Sequence, residues 1–215
     1  MPDHEGSYLA EPSGPARAGV LVLHDWYGLL PRVRDACDEL AAAGLVALAP
    51  DLYDGRSTTD PEQAEAIQQA SQAMDQAKVA PRLDAATADL RRRTGGGPVG
   101  GLGWSMGGFH TLQQATKGAY DAVAAYYAAV EPEQATDIHC PVLLHVAERD
   151  EFDPREAYEA FAAALQAAGT EVQAHTWPGT KHSFANRDVA LCVPTAADRA
   201  WSITVQFLRD HLATA

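Results

Sequence analysis

The chain has 215 residues, of which 47% are hydrophobic, and it carries a formal net charge of −13. A chain of this length often folds as one α/β domain and buries about 70% of its unfolded surface, so stability requires no disulfide or metal. Its acidic balance argues against nucleic-acid partners, because phosphate backbones are repelled. We therefore expect a single domain over residues 1–215 with a small-molecule substrate.

Cysteine usage and hydropathy indicate the compartment. Cys37, Cys140 and Cys192 are far apart and form no CxxC pair, which favours a reducing environment. Residues 1–14 lack the basic start and apolar run of a secretory signal peptide, and no stretch approaches about 18 apolar residues without a charge. The predicted location is the cytoplasm, with no membrane contact. The oligomeric state stays open.

Short apolar runs alternate along the chain with longer amphipathic segments. Six runs predict buried strands, at residues 19–24, 46–50, 99–104, 122–127, 142–147 and 171–176. The last run is more polar, as expected for a strand nearer the edge of a sheet. Residues 7–10 add a candidate antiparallel strand, which gives about seven strands in total.

Apolar residues at helical spacing predict helices between these strands, at 31–43, 105–117, 154–168 and 195–211. Asp60 followed by Pro61 is a typical helix start. The segment from there to about Arg93 is predicted to hold two helices, divided near Pro81. Such alternation predicts an α/β fold with a mostly parallel central sheet covered by helices on both faces. Sites in these sheets lie at the carboxyl ends of the strands.

Residues 103–107 read Gly-Trp-Ser-Met-Gly, a GxSxG motif between a predicted buried strand and a predicted helix. A serine on such a sharp strand-to-helix turn leaves no room for side chains two residues before and after it, which explains the glycines. Ser105 is the predicted nucleophile. The Met106 N–H, at a helix N-terminus, is a predicted oxyanion donor. The alternative is a serine that only packs in a glycine-rich turn.

A serine hydroxyl becomes a useful nucleophile when a base takes its proton. Among eight histidines, His182 lies in the loop between the sixth predicted strand and the last helix, and it is the predicted base. The alternative for a loop histidine is simple solvation.

A carboxylate that accepts a hydrogen bond from the base fixes its tautomer and stabilises the imidazolium. Asp150 directly follows the fifth predicted strand and is the predicted acid. Glu148, Glu151 and Asp153 are nearby rivals, and Asp153 also resembles a helix N-cap.

The loop after the first long strand reads His-Asp-Trp-Tyr-Gly, and it is expected to supply the second oxyanion N–H from Trp26 or Tyr27. Their rings could wall the substrate cleft or pack in the core. Specificity is assigned to loops 27–30, 53–59 and 184–193. The expected substrate contacts are Asp25, Tyr27, Tyr53, Trp104 and Phe184.

Other reactive side chains have simpler interpretations. His24 and His145 lie within predicted strands, where buried, hydrogen-bonded histidines are the favoured interpretation, and no pair of histidines has the i, i+4 spacing of a hydrolytic zinc site. No metal site is predicted. Cys192 is an alternative nucleophile only if the assignment of Ser105 fails.

With these residues in place, the sequence resembles the dienelactone hydrolase family over nearly its whole length. The similarity rests on HDWYGL, APDLY, GWSMGG, AERD and HSF in this order along the chain. It implies a small α/β-hydrolase without a large lid and without a cofactor. It also implies that Trp26 and Met106 are the oxyanion donors. The order nucleophile, acid, histidine is typical of this fold.

Three departures from the family pattern concern the substrate. The best-known members use a cysteine where this chain has Ser105, and a glutamate where it has Asp25. They hold a substrate carboxylate with two arginines. One of these positions is Asn186, followed by Arg187, and the other falls within residues 62–69, which contain no arginine. An anionic dienelactone is therefore not the expected substrate.

The predicted function is hydrolysis of a small carboxylic ester or lactone through an acyl-enzyme, with Ser105, His182 and Asp150 as the triad. The alternative is a non-catalytic protein that binds small molecules on a hydrolase scaffold.

Overall fold

One seven-stranded sheet organises the computed structural model, which describes residues 6–213. Its strands, in the order in which they pair across the sheet, are β1 (Tyr8–Ala10), β3 (Val46–Ala49), β2 (Gly19–Leu23), β4 (Val99–Trp104), β5 (Ala122–Tyr126), β6 (Val142–Arg149) and β7 (Val172–Lys181). β1 pairs antiparallel with β3, and every other pair is parallel. The predicted mostly parallel sheet is confirmed, including the antiparallel first strand.

Helices cover both faces of this sheet. They are α1 (Pro31–Ala42), α2 (Pro61–Ser71), α3 (Gln76–Arg93), α4 (Met106–Ala115), α5 (Arg155–Ala167) and α6 (Pro194–Leu212), with a 3-10 turn at Pro132–Asp137. Side chains of β2 alternate between two cores: Leu21 and Leu23 pack with α3, α4 and α5, whereas Val20 and Val22 pack with α1 and α6. Burial on both faces explains the continuous apolar runs of the central strands.

The break between α2 and α3 lies earlier than predicted. Gln72 adopts a left-handed conformation (φ 54°) after α2, and the Asp75 side chain accepts a hydrogen bond from the Ala77 N–H at the start of α3. Pro81 lies inside α3, in its second turn. A proline there removes one backbone hydrogen bond, and the helix tolerates this because Val79 and Leu83 beside it are buried in the core.

The sheet edge at β7 carries Pro178, which suits an edge strand because proline cannot donate to a neighbour. The prediction that this strand lies nearer an edge is therefore confirmed. Among residues 6–213, no helix has the length and hydropathy to cross a membrane. The interpretation of residues 1–14 as free of signal-peptide features falls partly on residues 1–5, outside the described range.

Candidate active site

The turn between β4 and α4 has the geometry of a nucleophile elbow. Ser105 adopts φ 51° and ψ −117°, a conformation that L-residues rarely occupy. A Cβ added to Gly103 would approach the Gly107 carbonyl oxygen to 2.2 Å, and one added to Gly107 would approach the Leu23 carbonyl oxygen to 2.3 Å. Both glycines of the motif are thus required by close backbone contacts, as the sequence predicted.

Three loops at the carboxyl ends of their strands bring the predicted triad together. The Ser105 Oγ lies 2.8 Å from the His182 Nε2, and the His182 Nδ1 lies 2.9 Å from both carboxylate oxygens of Asp150. The carboxylate can only accept, so Nδ1 carries a proton and Nε2 is free to accept from the serine hydroxyl. The side chains of His182 and Asp150 are 6% and 1% exposed.

Several donors hold the Asp150 carboxylate in place. Oδ1 accepts from the backbone N–H groups of Phe152 and Asp153, at 3.0 and 3.3 Å, and Oδ2 accepts from the Tyr158 hydroxyl at 2.8 Å. Burial alone would raise the pKa of Asp150, but the hydrogen bonds from His182, Phe152 and Tyr158 outweigh it and hold this pKa below its ordinary value. Asp150 is therefore ionised at neutral pH.

The rival acids have other environments. Glu148 accepts a hydrogen bond from the Gly179 N–H, and Glu151 is exposed. Asp153 borders the cleft, where burial and the Asp150 charge raise its pKa. It does not cap α5, whose N-cap residue is Pro154 without a side-chain hydrogen bond. The structure thus brings Asp150, among these four carboxylates, against the histidine.

The two predicted oxyanion donors belong to residues that border the cleft together with the serine. Met106 is the first residue of α4, where backbone N–H groups lack partners within the helix, and Trp26 lies in the loop after β2. Both residues line the same cleft as Ser105 and His182. The helix N-terminus adds a partial positive charge at this point, which favours a developing oxyanion.

Asp25 joins the oxyanion loop to the histidine loop. Its carboxylate is fully buried, with Oδ1 accepting from the Tyr27 N–H at 3.0 Å. Oδ2 accepts from the Arg32 guanidinium at 2.6 Å and from the Asn186 side-chain amide at 3.0 Å. Asp25 is therefore a structural anchor rather than the expected substrate contact, and Asn186 is occupied in the same network.

Replacing Asp25 with alanine should lower the free energy of unfolding by about 3–5 kcal/mol, because it leaves the Arg32 guanidinium, only 6% exposed, without its buried partner. Chemical denaturation would measure this. The exposed pair Arg155–Glu159 supplies the control, and E159A should cost about 1 kcal/mol or less. Equal losses in the two variants would contradict the anchoring role of Asp25.

The cleft in front of Ser105 has a volume of about 480 Å³. Its aromatic walls come from Trp26, Phe109, Tyr127 and Phe152, and the last two rings lie 4.8 and 4.6 Å from the His182 ring. Residues of α2 and most residues between 127 and 134 complete the lining. The three loops expected to set specificity, at 27–30, 53–59 and 184–193, contribute no residue to this lining. Trp26, which does line the cleft, directly precedes the first of them.

Four aromatic side chains predicted to contact substrate lie outside this cleft. Tyr27, Tyr53, Trp104 and Phe184 are at most 3% exposed and pack in hydrophobic cores. The Tyr53 hydroxyl lies 3.5 Å from the Met106 Sδ. These residues adjoin the catalytic motifs in sequence, but their side chains point into the protein interior.

The other reactive side chains considered from the sequence lie outside the cleft. His24 and His145 are fully buried and hydrogen-bonded through both ring nitrogens, which confirms the sequence interpretation. Burial lowers the pKa of each imidazole. Burial also raises the pKa of the Cys192 thiol, which leaves it a poor nucleophile.

Comparisons with known proteins agree with this architecture. The profile of the dienelactone hydrolase family matches residues 6–212. An Azospirillum brasilense protein named "putative carboxymethylenebutenolidase" is 33% identical, with 96% of this chain and 93% of that protein covered. A Bradyrhizobium protein named "probable 2-oxo-3-(5-oxofuran-2-ylidene)propanoate lactonase" is 28% identical, with 96% and 89% covered.

Among solved structures, a "putative dienelactone hydrolase" from Klebsiella pneumoniae superposes with a TM-score of 0.81 at 24% identity, covering 94% of this chain and 91% of that one. This likeness supports the fold, a mostly parallel α/β-hydrolase sheet. The family profile spans almost all of the described residues. The chain therefore belongs to the dienelactone hydrolase family and is an enzyme of the carboxylic-ester hydrolase class.

Proposed function

We propose that this enzyme cleaves a small carboxylic ester or lactone through an acyl-enzyme intermediate, with Ser105 as nucleophile, His182 as general base and Asp150 as the acid that orients it. The observation that carries this proposal is the 2.8 Å contact between the Ser105 Oγ and the His182 Nε2 beside a cleft of about 480 Å³. The cleft volume suits a small substrate.

In the acylation step, the serine oxygen attacks the carbonyl carbon while its proton moves to the His182 Nε2. The N–H groups of Met106 and Trp26 donate to the resulting oxyanion. Collapse of the tetrahedral intermediate breaks the ester C–O bond, and His182 returns the proton to the leaving alkoxide. Asp150, held ionised, stabilises the imidazolium between these two transfers.

In the deacylation step, water attacks the acyl carbon, its proton passes to His182, and Ser105 leaves with that proton as the acid is released. A lactone follows the same steps, but its alkoxide remains attached to the acyl group. The product of a lactone is therefore one hydroxy acid, whereas an open ester gives an acid and an alcohol.

We further propose that residues 1–215 form one domain in the cytoplasm. Continuous pairing of all seven strands in one sheet supports the first statement. The three free thiols, two of them buried, support a reducing compartment.

A neutral fluorophosphonate probe tests the proposed chemistry directly. It should phosphonylate Ser105 in the folded enzyme, and peptide mass spectrometry should find the adduct on the peptide that contains this residue. The S105A variant and heat-denatured wild type are the controls and should stay unlabelled. A folded wild type that takes up no label would contradict catalysis and favour a non-catalytic binding protein.

A further inference from the structure

The charged side chains that line the catalytic cleft have one sign. Glu65 on α2, Glu131 beside the 3-10 turn and Asp153 after β6 all border it. No lysine or arginine among the described residues lines the cleft. Glu65 and Glu131 are exposed side chains, so both can face a substrate from the open side of the cleft.

Among the described residues, none of the cations close in sequence to the catalytic residues lines the cleft, including Arg149 and Lys181, which directly precede Asp150 and His182. Arg32 is buried against Asp25 and stacks over the Trp104 ring, with 4.9 Å between the guanidinium carbon and the ring centroid. Arg187, five residues after the catalytic histidine, pairs with Asp198 on α6 and faces a separate pocket between α1 and α6. Arg155 pairs with Glu159 on its own helix. A substrate carboxylate in the cleft would therefore meet carboxylates and find no cation.

The rest of the lining is uncharged. Four aromatic rings, the thioether of Met74 and a run of small apolar residues from 128 to 130 form its walls, and Gln68 and Gln134 supply amides. Aromatic faces beside carboxylates accept a cationic group well, because ring quadrupole and negative charge attract it together. An uncharged acyl chain meets no electrostatic repulsion from the carboxylates on such a surface.

Resting on the proposed function, we propose that the enzyme's substrates are esters or lactones without an anionic group, and that Glu65 and Glu131 are the specificity-determining residues that reject a substrate carboxylate. The physical cause is like-charge repulsion inside a partly desolvated cleft, where charges interact more strongly than in bulk water. The net charge of −13 repels anions on approach as well, but this long-range effect is shared by every surface carboxylate.

Three matched esters test the selectivity. They are p-nitrophenyl pentanoate, mono-p-nitrophenyl glutarate and p-nitrophenyl 4-(trimethylammonio)butanoate, which share three methylenes and differ in the end group. After subtraction of uncatalysed hydrolysis, kcat/KM for the anionic ester should be at least about tenfold below that of the neutral ester at low ionic strength. The cationic ester should equal or exceed the neutral one. Added salt should narrow the differences.

Paired variants assign the effect to the two residues. E65Q/E131Q removes two charges from the cleft, whereas E62Q/E133Q removes two charges from nearby exposed positions, on α2 and in the 3-10 turn, that do not line it. The anionic-to-neutral ratio of kcat/KM should rise about threefold to tenfold in the first variant and change by less than about twofold in the second. Thermal unfolding and the rate of labelling by the neutral fluorophosphonate verify that fold and Ser105 reactivity persist in both.

The outcomes separate the two proposals. Equal or faster turnover of the anionic ester by wild type would overturn the substrate class while leaving the serine mechanism intact. A ratio that changes equally in both variants would remove Glu65 and Glu131 as its determinants. Failure to turn over any of the three esters, together with no labelling of Ser105, would overturn the proposed function itself.

Discussion

Replacement of Ser105 by alanine should reduce kcat for p-nitrophenyl acetate by a factor on the order of 10⁵–10⁶. The change removes the proposed nucleophile, the Ser105 Oγ, which lies 2.8 Å from the His182 Nε2. The remaining activity should come from the oxyanion donors and substrate binding, which alone accelerate the reaction far less. Steady-state kinetics, corrected for spontaneous hydrolysis, would measure the loss.

The fold should survive this substitution. Alanine adopts the φ of 51° at the elbow no less readily than serine, and the backbone N–H of residue 105 keeps its hydrogen bond to the Tyr126 carbonyl. Thermal unfolding of the variant should therefore resemble that of wild type. S202A, on the exposed face of α6, is the matched control and should retain full turnover. Comparable turnover in S105A and wild type would refute the assigned nucleophile.

Replacement of Asp150 by asparagine should reduce kcat/KM by about 10⁴. The asparagine can present an N–H to the His182 Nδ1, which would then carry the lone pair and leave the proton on Nε2. A protonated Nε2 cannot accept from the Ser105 hydroxyl, so the base acts in the wrong tautomer. Kinetics across a pH series would measure the loss.

Neighbouring carboxylates provide the comparison for this variant. E151Q, on an exposed side chain in the same loop, should leave kcat/KM unchanged within a factor of about two. If D153N lost as much activity as expected for D150N, and D150N retained its activity, then Asp153 would be the acid.

The pKa of Asp150 is held below its ordinary value, so this carboxylate stabilises the folded state. That contribution to the free energy of unfolding is fully present above about pH 4 and is lost as the pH falls through the lowered pKa.

Backbone-level features of the site were readable from the sequence. The GxSxG motif requires two glycines for steric reasons, and the close approach of Gly107 to the Leu23 carbonyl shows that requirement in the structure. Asp150 follows the largely buried strand β6 and His182 follows the edge strand β7, and the parallel order of these strands places their carboxyl ends at one edge of the sheet. Residues at the ends of these strands could therefore be assigned to one site from the sequence alone.

Side-chain direction and helix breaks were harder to predict. Tyr53 and Phe184 adjoin motif residues, but both lie in turns, where the sequence pattern does not fix the direction of a side chain, so proximity in sequence did not place them in the cleft. The sequence predicted the helix break near Pro81, but a helix packed in the core tolerates the loss of one hydrogen bond. The break lies instead at Gln72, which adopts a left-handed conformation. Nothing in the local pattern of residues 128–134 signals a binding wall, because their role depends on where α4 and α5 sit around them.

The walls of the cleft and the reactive groups come largely from different parts of the chain. Residues of α2 and the stretch 128–134 border the cleft, yet neither supplies a member of the proposed triad or a proposed oxyanion donor. Directed evolution confined to these two stretches would consequently sample new substrate ranges while the bond-breaking apparatus stays constant. The same separation allows related chains to diverge in substrate range while they keep one catalytic mechanism.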